Sequence, residues 1–248
     1  TYEESGADIA RGWPDPDPNV EEFLDTFATF VPQGSKVLDA GTGTGRVLRR
    51  LLKRGFAAVG IDYAPEMLQL ARAWQGEIVE GRLHEMDLRD LQFDPDSFPA
   101  IWDNASFHHV EKAQADRTLQ GYHRTLQSGG VLFLRVKEGE GEALVGEEGE
   151  QRHYAFYQTE ELRALLERNG FEILEIDAKT ERDVPGRQQK WVYAFARKKA
   201  TRPGTGGDLG RSGDEVEQAE LLNVGPDPFK QWRKLDGSID RHARARDL

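Results

Sequence analysis

The sequence predicts an α/β fold, a mixed seven-stranded sheet flanked by helices, and three stretches carry that expectation. Lys36 to Arg46, KVLDAGTGTGR, reads as a short apolar strand, a tight turn with Gly41, Gly43 and Gly45 at alternate positions, and a helix start. Glycine suits such a turn because it accepts positive φ and lets backbone approach a ligand closely. Ala57 to Ile61 is a small-apolar run suited to a sheet buried on both faces. Phe171 to Ile176 and Lys190 to Ala196 read as an antiparallel closing pair around a loop at 177–189.

The other elements follow from spacing. Pro14, Pro16 and Pro18 exclude a continuous helix in the first 19 residues. Val20, Phe23, Leu24, Phe27, Phe30 and Val31 then recur at helical spacing, with Pro32 as the stop. After the glycine turn, Val47, Leu48, Leu51 and Leu52 form an apolar stripe, Arg49, Arg50, Lys53 and Arg54 a solvated face, and Gly55 the end. A helix is expected from Pro65 to Trp74, and strands from Gly81 to Met86 and Ala100 to Ala105. A long helix from Glu111 to Leu126 is closed by Ser128, Gly129 and Gly130, and the strand Val131 to Val136 follows. Glycine and glutamate alternate from Lys137 to Glu142 with nothing apolar to bury, which predicts a mobile acidic loop. Glu138 and Glu140 there would favour a cationic or amine ligand; the other reading of such a run is plain solvation. Thr159 is the expected cap of a helix that ends at Asn169 and Gly170.

Composition narrows the function. At 248 residues and 38% hydrophobic, the chain holds one good-sized domain with an appendage. It has no apolar run near the roughly 20 residues of a membrane helix and no signal-peptide pattern, so a cytoplasmic protein is expected. The absence of cysteine excludes disulfides, thiolate metal sites and a cysteine nucleophile. A net charge of −11 disfavours nucleic acid as a partner.

The glycine turn fits two nucleotide-binding patterns, and its spacing separates them. Hydride-transfer folds want Gly-x-Gly-x-x-Gly or Ala at the last position, where this chain has Arg46. Asp39-x-Gly41-x-Gly43-x-Gly45 instead resembles motif I of the class I S-adenosylmethionine-dependent methyltransferases. The resemblance covers roughly residues 36 to 198. It implies a Rossmann-like sheet of order 3-2-1-4-5-7-6 with the last strand antiparallel, S-adenosylmethionine as cofactor and S-adenosylhomocysteine as product.

The resemblance also implies a site. Asp39, Gly41, Thr42, Gly43 and Gly45 would hold the methionine part. Asp62 stands 21 positions after Gly41, where an acidic residue accepts from ribose hydroxyls; its alternative is a helix cap. Tyr63 and Met67 belong to the helix start after it. Met86, Asp87 and Leu88 match the place where an acidic side chain meets the adenine amino group, although an aspartate there also suits a turn. Tyr2 and Arg11 are candidate lid contacts within an N-terminal lid and helix, 1–35.

Asn104, His108 and His109 should face the reacting methyl group, because ligands lie beyond the carboxyl ends of such strands. Either histidine could take a proton near neutral pH, the alternative being packing against Trp102 or bonding to backbone. No Asn/Asp-Pro-Pro-aromatic motif stands in that loop, so base and glutamine amines are disfavoured as acceptors. No metal is implied.

The reading is therefore a methyltransferase domain at 1–200 acting on an oxygen or nitrogen of a small molecule. Residues 201–248 read as a flexible linker, with five glycines between Thr201 and Gly213, and a short tail. The tail's 8 basic and 9 acidic residues form no basic stripe, and disorder or docking onto a protein partner is the expectation. The alternatives are a nucleotide-dependent oxidoreductase and a non-catalytic cofactor-binding protein with a partner-recruiting tail.

Overall fold

The computed structural model describes residues 18–146, 151–182 and 188–200. Its elements run α1 (Pro18–Phe30), β1 (Lys36–Ala40), α2 (Arg46–Lys53), β2 (Ala57–Asp62), α3 (Pro65–Gln75), β3 (Leu83–Glu85), β4 (Phe98–Asn104), α4 (Lys112–Thr125) and β5 (Leu126–Lys137). They continue with β6 (Glu142–Val145), β7 (Arg152–Ala155), α5 (Thr159–Arg168), β8 (Phe171–Arg182) and β9 (Gln188–Lys198). Tyr2, Arg11 and the tail after Ala200 lie outside the described residues.

Seven strands form one sheet in the order β3-β2-β1-β4-β5-β9-β8. The first five are parallel, and β9 is antiparallel to both its neighbours. This is the expected order once β6 and β7 are set aside, since they pair only with each other.

That hairpin corrects the mobile-loop reading. Its strands have four residues each, and every residue of β6 is exposed, so no apolar alternation marked them. The acidic run is tied down as well. Glu138 pairs with Lys190, Glu140 accepts from Gln158, and Glu142 accepts from the Lys112 backbone N–H and lies 3.2 Å from His153.

Other boundaries moved for local reasons. β8 and β9 take up most of the loop expected at 177–189, because polar residues such as Lys179, Thr180 and Gln189 continue the ladder at its exposed end. β3 keeps only three of the expected residues. Ser128, Gly129 and Gly130 belong to the irregular start of β5, where the register with β4 shifts, and α4 stops earlier at Thr125. Thr159 is the first residue of α5, one place after its cap Gln158.

The core on one sheet face is aromatic. Phe27 of α1 meets Trp102 edge-on with centroids 5.2 Å apart, and Trp102 stacks on Phe133 at 4.0 Å. Val20, Phe23, Leu24 and Phe27 are all buried, each stabilising the fold by about 1.5–3 kcal/mol relative to exposure. The basic stripe on α2 is not solvated throughout: Arg50 is buried and ion-paired with Glu21 at 2.7 Å, and Arg54 reaches Glu21 and Asp25. These pairs fasten α1 to α2.

Candidate active site

The carboxyl ends of β3, β2, β1, β4 and β5 form one edge, crossed by hydrogen bonds from end to end. Met86 N–H donates to the Asp62 carbonyl at 3.0 Å, Thr42 N–H to Ile61 at 2.8 Å, and Ala105 N–H to Arg135 at 3.0 Å. Between β1 and β4 the link is a side chain, Ser106 Oγ, which donates to the Gly41 carbonyl at 3.0 Å.

Two glycines of the turn do different work. Gly41, at φ +73°, sits so close to Ser106 that an added Cβ would lie 2.0 Å from its Oγ. Gly43, at φ +52°, has nothing within 4 Å of where a Cβ would stand. The first glycine is needed for packing, and the second faces open space.

Three carboxylates, Asp39, Asp62 and Asp103, lie near the turn and near one another. Asp62 Oδ2 accepts from Gly43 N–H at 2.8 Å and its Oδ1 from Ala64 N–H at 2.9 Å, so it shapes the turn and opens the next helix together. Burial raises its pKa against those bonds. Asp39 accepts from Thr42 Oγ1 at 2.5 Å, and burial, then Asp103 and Asp62, push it up to about 7. Repelling carboxylates near an open turn suit a cationic ligand, because a positive charge close to them relieves the repulsion. S-adenosylmethionine, a sulfonium with an ammonium and one carboxylate, fits that demand.

The adenine and ribose candidates stand along the same edge. Tyr63 is 69% exposed, and Met67 lies half-buried in the first turn of α3. Met86, Asp87 and Leu88 are half-buried after β3. Arg89 grips the Asp87 carboxylate, which lowers its pKa despite partial burial and leaves it ionised.

Asn104, His108 and His109 are held by a residue that no motif marked. Asp103 is fully buried; its Oδ1 accepts from the N–H groups of Ser106 and Phe107 at 3.2 and 3.0 Å, and its Oδ2 from Tyr122 at 2.6 Å. Ala105 adopts φ +65°, a left-handed conformation costly for alanine, and the turn Phe107–His109 follows. Asn104 Oδ1 accepts from Arg135 at 3.1 Å.

The two histidines part company there. His108 is 2% exposed and lies 5.3 Å from Tyr154 and 5.6 Å from Trp191, ring to ring, rather than against Trp102. His109 stays exposed at one edge and bonds the His153 carbonyl through Nδ1 at 2.8 Å. Neither is poised near neutral pH. Burial, then His109, Lys137 and Arg135, hold His108 well below the usual range, and His109, though exposed at one edge, is lowered by the packing of the rest of its ring and by Arg152 and Lys137. Sequence reasoning missed Asp103, Ser106, Arg135 and Trp191 as parts of this edge. A lone polar residue at a strand end carries no pattern.

Comparison with known proteins agrees with this geometry. Residues 37–130 match the family model described as a methyltransferase domain. An uncharacterized methyltransferase of Geobacillus thermodenitrificans is 31% identical over 54% of this chain and 57% of its own. One from Geobacillus kaustophilus is 29% identical over 71% and 75%. The chain thus spans about half to three quarters of these relatives' length.

Two solved structures share the fold. A SAM-dependent methyltransferase of Methanosarcina mazei superposes with a TM-score of 0.65 at 20% identity, covering 71% of this chain and 98% of its own. The Burkholderia thailandensis 1,6-didemethyltoxoflavin-N1-methyltransferase, solved with 1,6-didemethyltoxoflavin and S-adenosylhomocysteine, gives 0.62 at 24% identity, covering 80% and 84%. Motif, sheet order and family match agree: residues 37–130 match a methyltransferase domain, and the chain has the fold of S-adenosylmethionine-dependent methyltransferases and is similar to them in sequence.

Proposed function

We propose that this domain transfers the methyl group of S-adenosylmethionine to a nitrogen or oxygen of a small-molecule acceptor. The observation that carries the reading is the open space at Gly43, whose N–H bonds Asp62, with Asp39 close enough to Asp62 to feel its charge. Gly41, Thr42, Gly43 and Gly45 would hold the methionine part, Asp62 the ribose, and Met86, Asp87 and Leu88 the adenine, with Tyr63 and Met67 beside it.

When bound, the cofactor supplies a methyl carbon on sulfonium, which an acceptor lone pair displaces from a neutral thioether. The protein's share is alignment and exclusion of water. Ser106 fixes the distance between the cofactor turn and the turn of Asn104, His108 and His109, and Asp103 holds that second turn rigid. A small acceptor suits this end of the sheet, where Tyr154, Trp191 and His108 close on one another. The Burkholderia neighbour, which by its name methylates at N1, lends support to nitrogen.

Calorimetric titration tests the reading. S-adenosylmethionine and S-adenosylhomocysteine should bind the wild type, and Asp62→Ala should weaken both by about tenfold or more, a loss of about 1.4 kcal/mol. No binding of either, or tight binding of NADH, would return the turn to the oxidoreductase reading.

A further inference from the structure

Among the described residues, His153 Nδ1 and two further buried nitrogens near it lack hydrogen-bond partners, and those two stand on neighbouring rings. The two are His108 Nδ1 and Trp191 Nε1, on side chains 2% and 4% exposed whose ring centroids lie 5.6 Å apart. An unpaired buried polar group costs about 1–3 kcal/mol, and two on facing rings mark a place where something else completes the bonding. Trp102 Nε1 is unpaired too, but it stands alone in the apolar core between Phe27 and Phe133.

The surroundings limit what that something is. The Arg135 guanidinium lies 4.2 Å over Trp191, and Lys137 Nζ 4.1 Å over Tyr154. The nearby glutamates are already engaged: Glu138 by Lys190, Glu142 by Lys112 and His153, and Glu181 by Arg135. An ammonium group would meet cations here, so the amine ligand suggested by the acidic run is disfavoured. A flat ring already stands against His108, that of Tyr154 tilted by 36°, while Trp191 lies on it at 38°. The place is therefore walled by flat rings.

Resting on the methyltransferase reading, we propose that the acceptor is a planar heteroaromatic ring with a lactam-type edge. Its N–H donates to His108 Nδ1 and its carbonyl accepts from Trp191 Nε1–H, each met edge-on in the plane of the ligand ring. Indole nitrogen is only a donor, so the ligand must offer an acceptor there. Imidazole kept neutral by burial and cations offers its free nitrogen to a donor. The new bond forms from the ring nitrogen's lone pair to the methyl carbon, the carbon–sulfur pair leaves on sulfur, and the ring N–H proton passes to His108. A methylated lactam cation is acid enough to protonate even this weak base, whereas a methylated ammonium is not.

The test follows the indole N–H signal of Trp191 by nitrogen-15 NMR in the full chain saturated with S-adenosylhomocysteine. The chain has five tryptophans, and Trp191→Phe identifies the signal by its loss. Should that variant fail to bind S-adenosylhomocysteine, contacts to Val192 identify the signal in the wild type instead. Titration with 2-pyridone, 2-quinolone and uracil should move the signal saturably for at least one of them. The N-methylated form of that compound should bind roughly tenfold more weakly or worse, because a site built for an N–H rejects an analogue without one. Benzylamine should leave the signal still.

If none of the three lactams moves the signal, or benzylamine does, the proposal is overturned and water satisfies the two nitrogens. Wild type that does not bind S-adenosylhomocysteine would instead overturn the methyltransferase reading beneath it.

Discussion

Ser106 Oγ donates to the Gly41 carbonyl at 3.0 Å, and through this contact the glycine turn and the turn that carries His108 and His109 keep a fixed separation. Methyl transfer needs its two reactants in line within a few tenths of an ångström, and this contact ties the two halves of the site across 65 residues of sequence.

Gly41→Ala should break that coupling. Its new Cβ would fall 2.0 Å from Ser106 Oγ at a φ of +73°. A loss of about 1–3 kcal/mol in denaturant unfolding is expected, with weakened S-adenosylmethionine binding. Adding Ser106→Gly should recover part of the stability by removing the clash but not the strain. Additive losses in the double variant would show that the two residues do not interact.

Asp39 gives a pH dependence of definite sign. Its carboxyl is raised from 3.8 to about 7 in the folded chain, so the folded state binds the proton more tightly than the unfolded one. Its contribution is whole below about pH 4 and erodes as pH rises toward 7. Asp39→Asn, measured without ligand, should leave Tm nearly unchanged at pH 4 relative to wild type and raise it at pH 8. The gain is a few kcal/mol at most. Equal effects at both pH values would remove Asp39 as the source.

Glu21→Ala should loosen α1 from α2. Arg50 is buried and loses the carboxylate that faces it at 2.7 Å, so about 1–3 kcal/mol of unfolding free energy should go. The same change made with Arg50→Met should cost less than Glu21→Ala alone, read from urea midpoints.

Glu181 and Arg135 form a buried ion pair joining β8 to β5. Glu181→Ala should destabilise by about 3–5 kcal/mol, because Arg135 keeps its charge in a site closed to water. Glu181→Leu with Arg135→Met should regain most of that in thermal unfolding. It should also lower acceptor turnover, since Asn104 and Trp191 then lose the guanidinium beside them.

Much of the cofactor side was legible in the chain. Gly41, Gly43 and Gly45 all take positive φ, and Asp62 reaches back to Gly43. Alternation of apolar strands and amphipathic helices marked the elements, and the resemblance to the methyltransferase family implied their order. The acceptor side was legible only as a pair of histidines. Trp191 reads as one more apolar residue in a strand, Arg50 as part of a solvated face, and Arg135 as one member of the strand Val131 to Val136. Their partners, Glu21 and Glu181, stand 29 and 46 positions away.

The sequence by itself determined the parallel sheet, its glycine turn and the carboxylates near it, because backbone conformation and strand burial are set by neighbouring residues. Tertiary structure alone decided that Gly41 packs on Ser106, that both histidines are held below neutral pH, and that the hairpin β6–β7 lies over them. Those features depend on desolvation and on charges brought together from distant parts of the chain, and neither is written in local spacing.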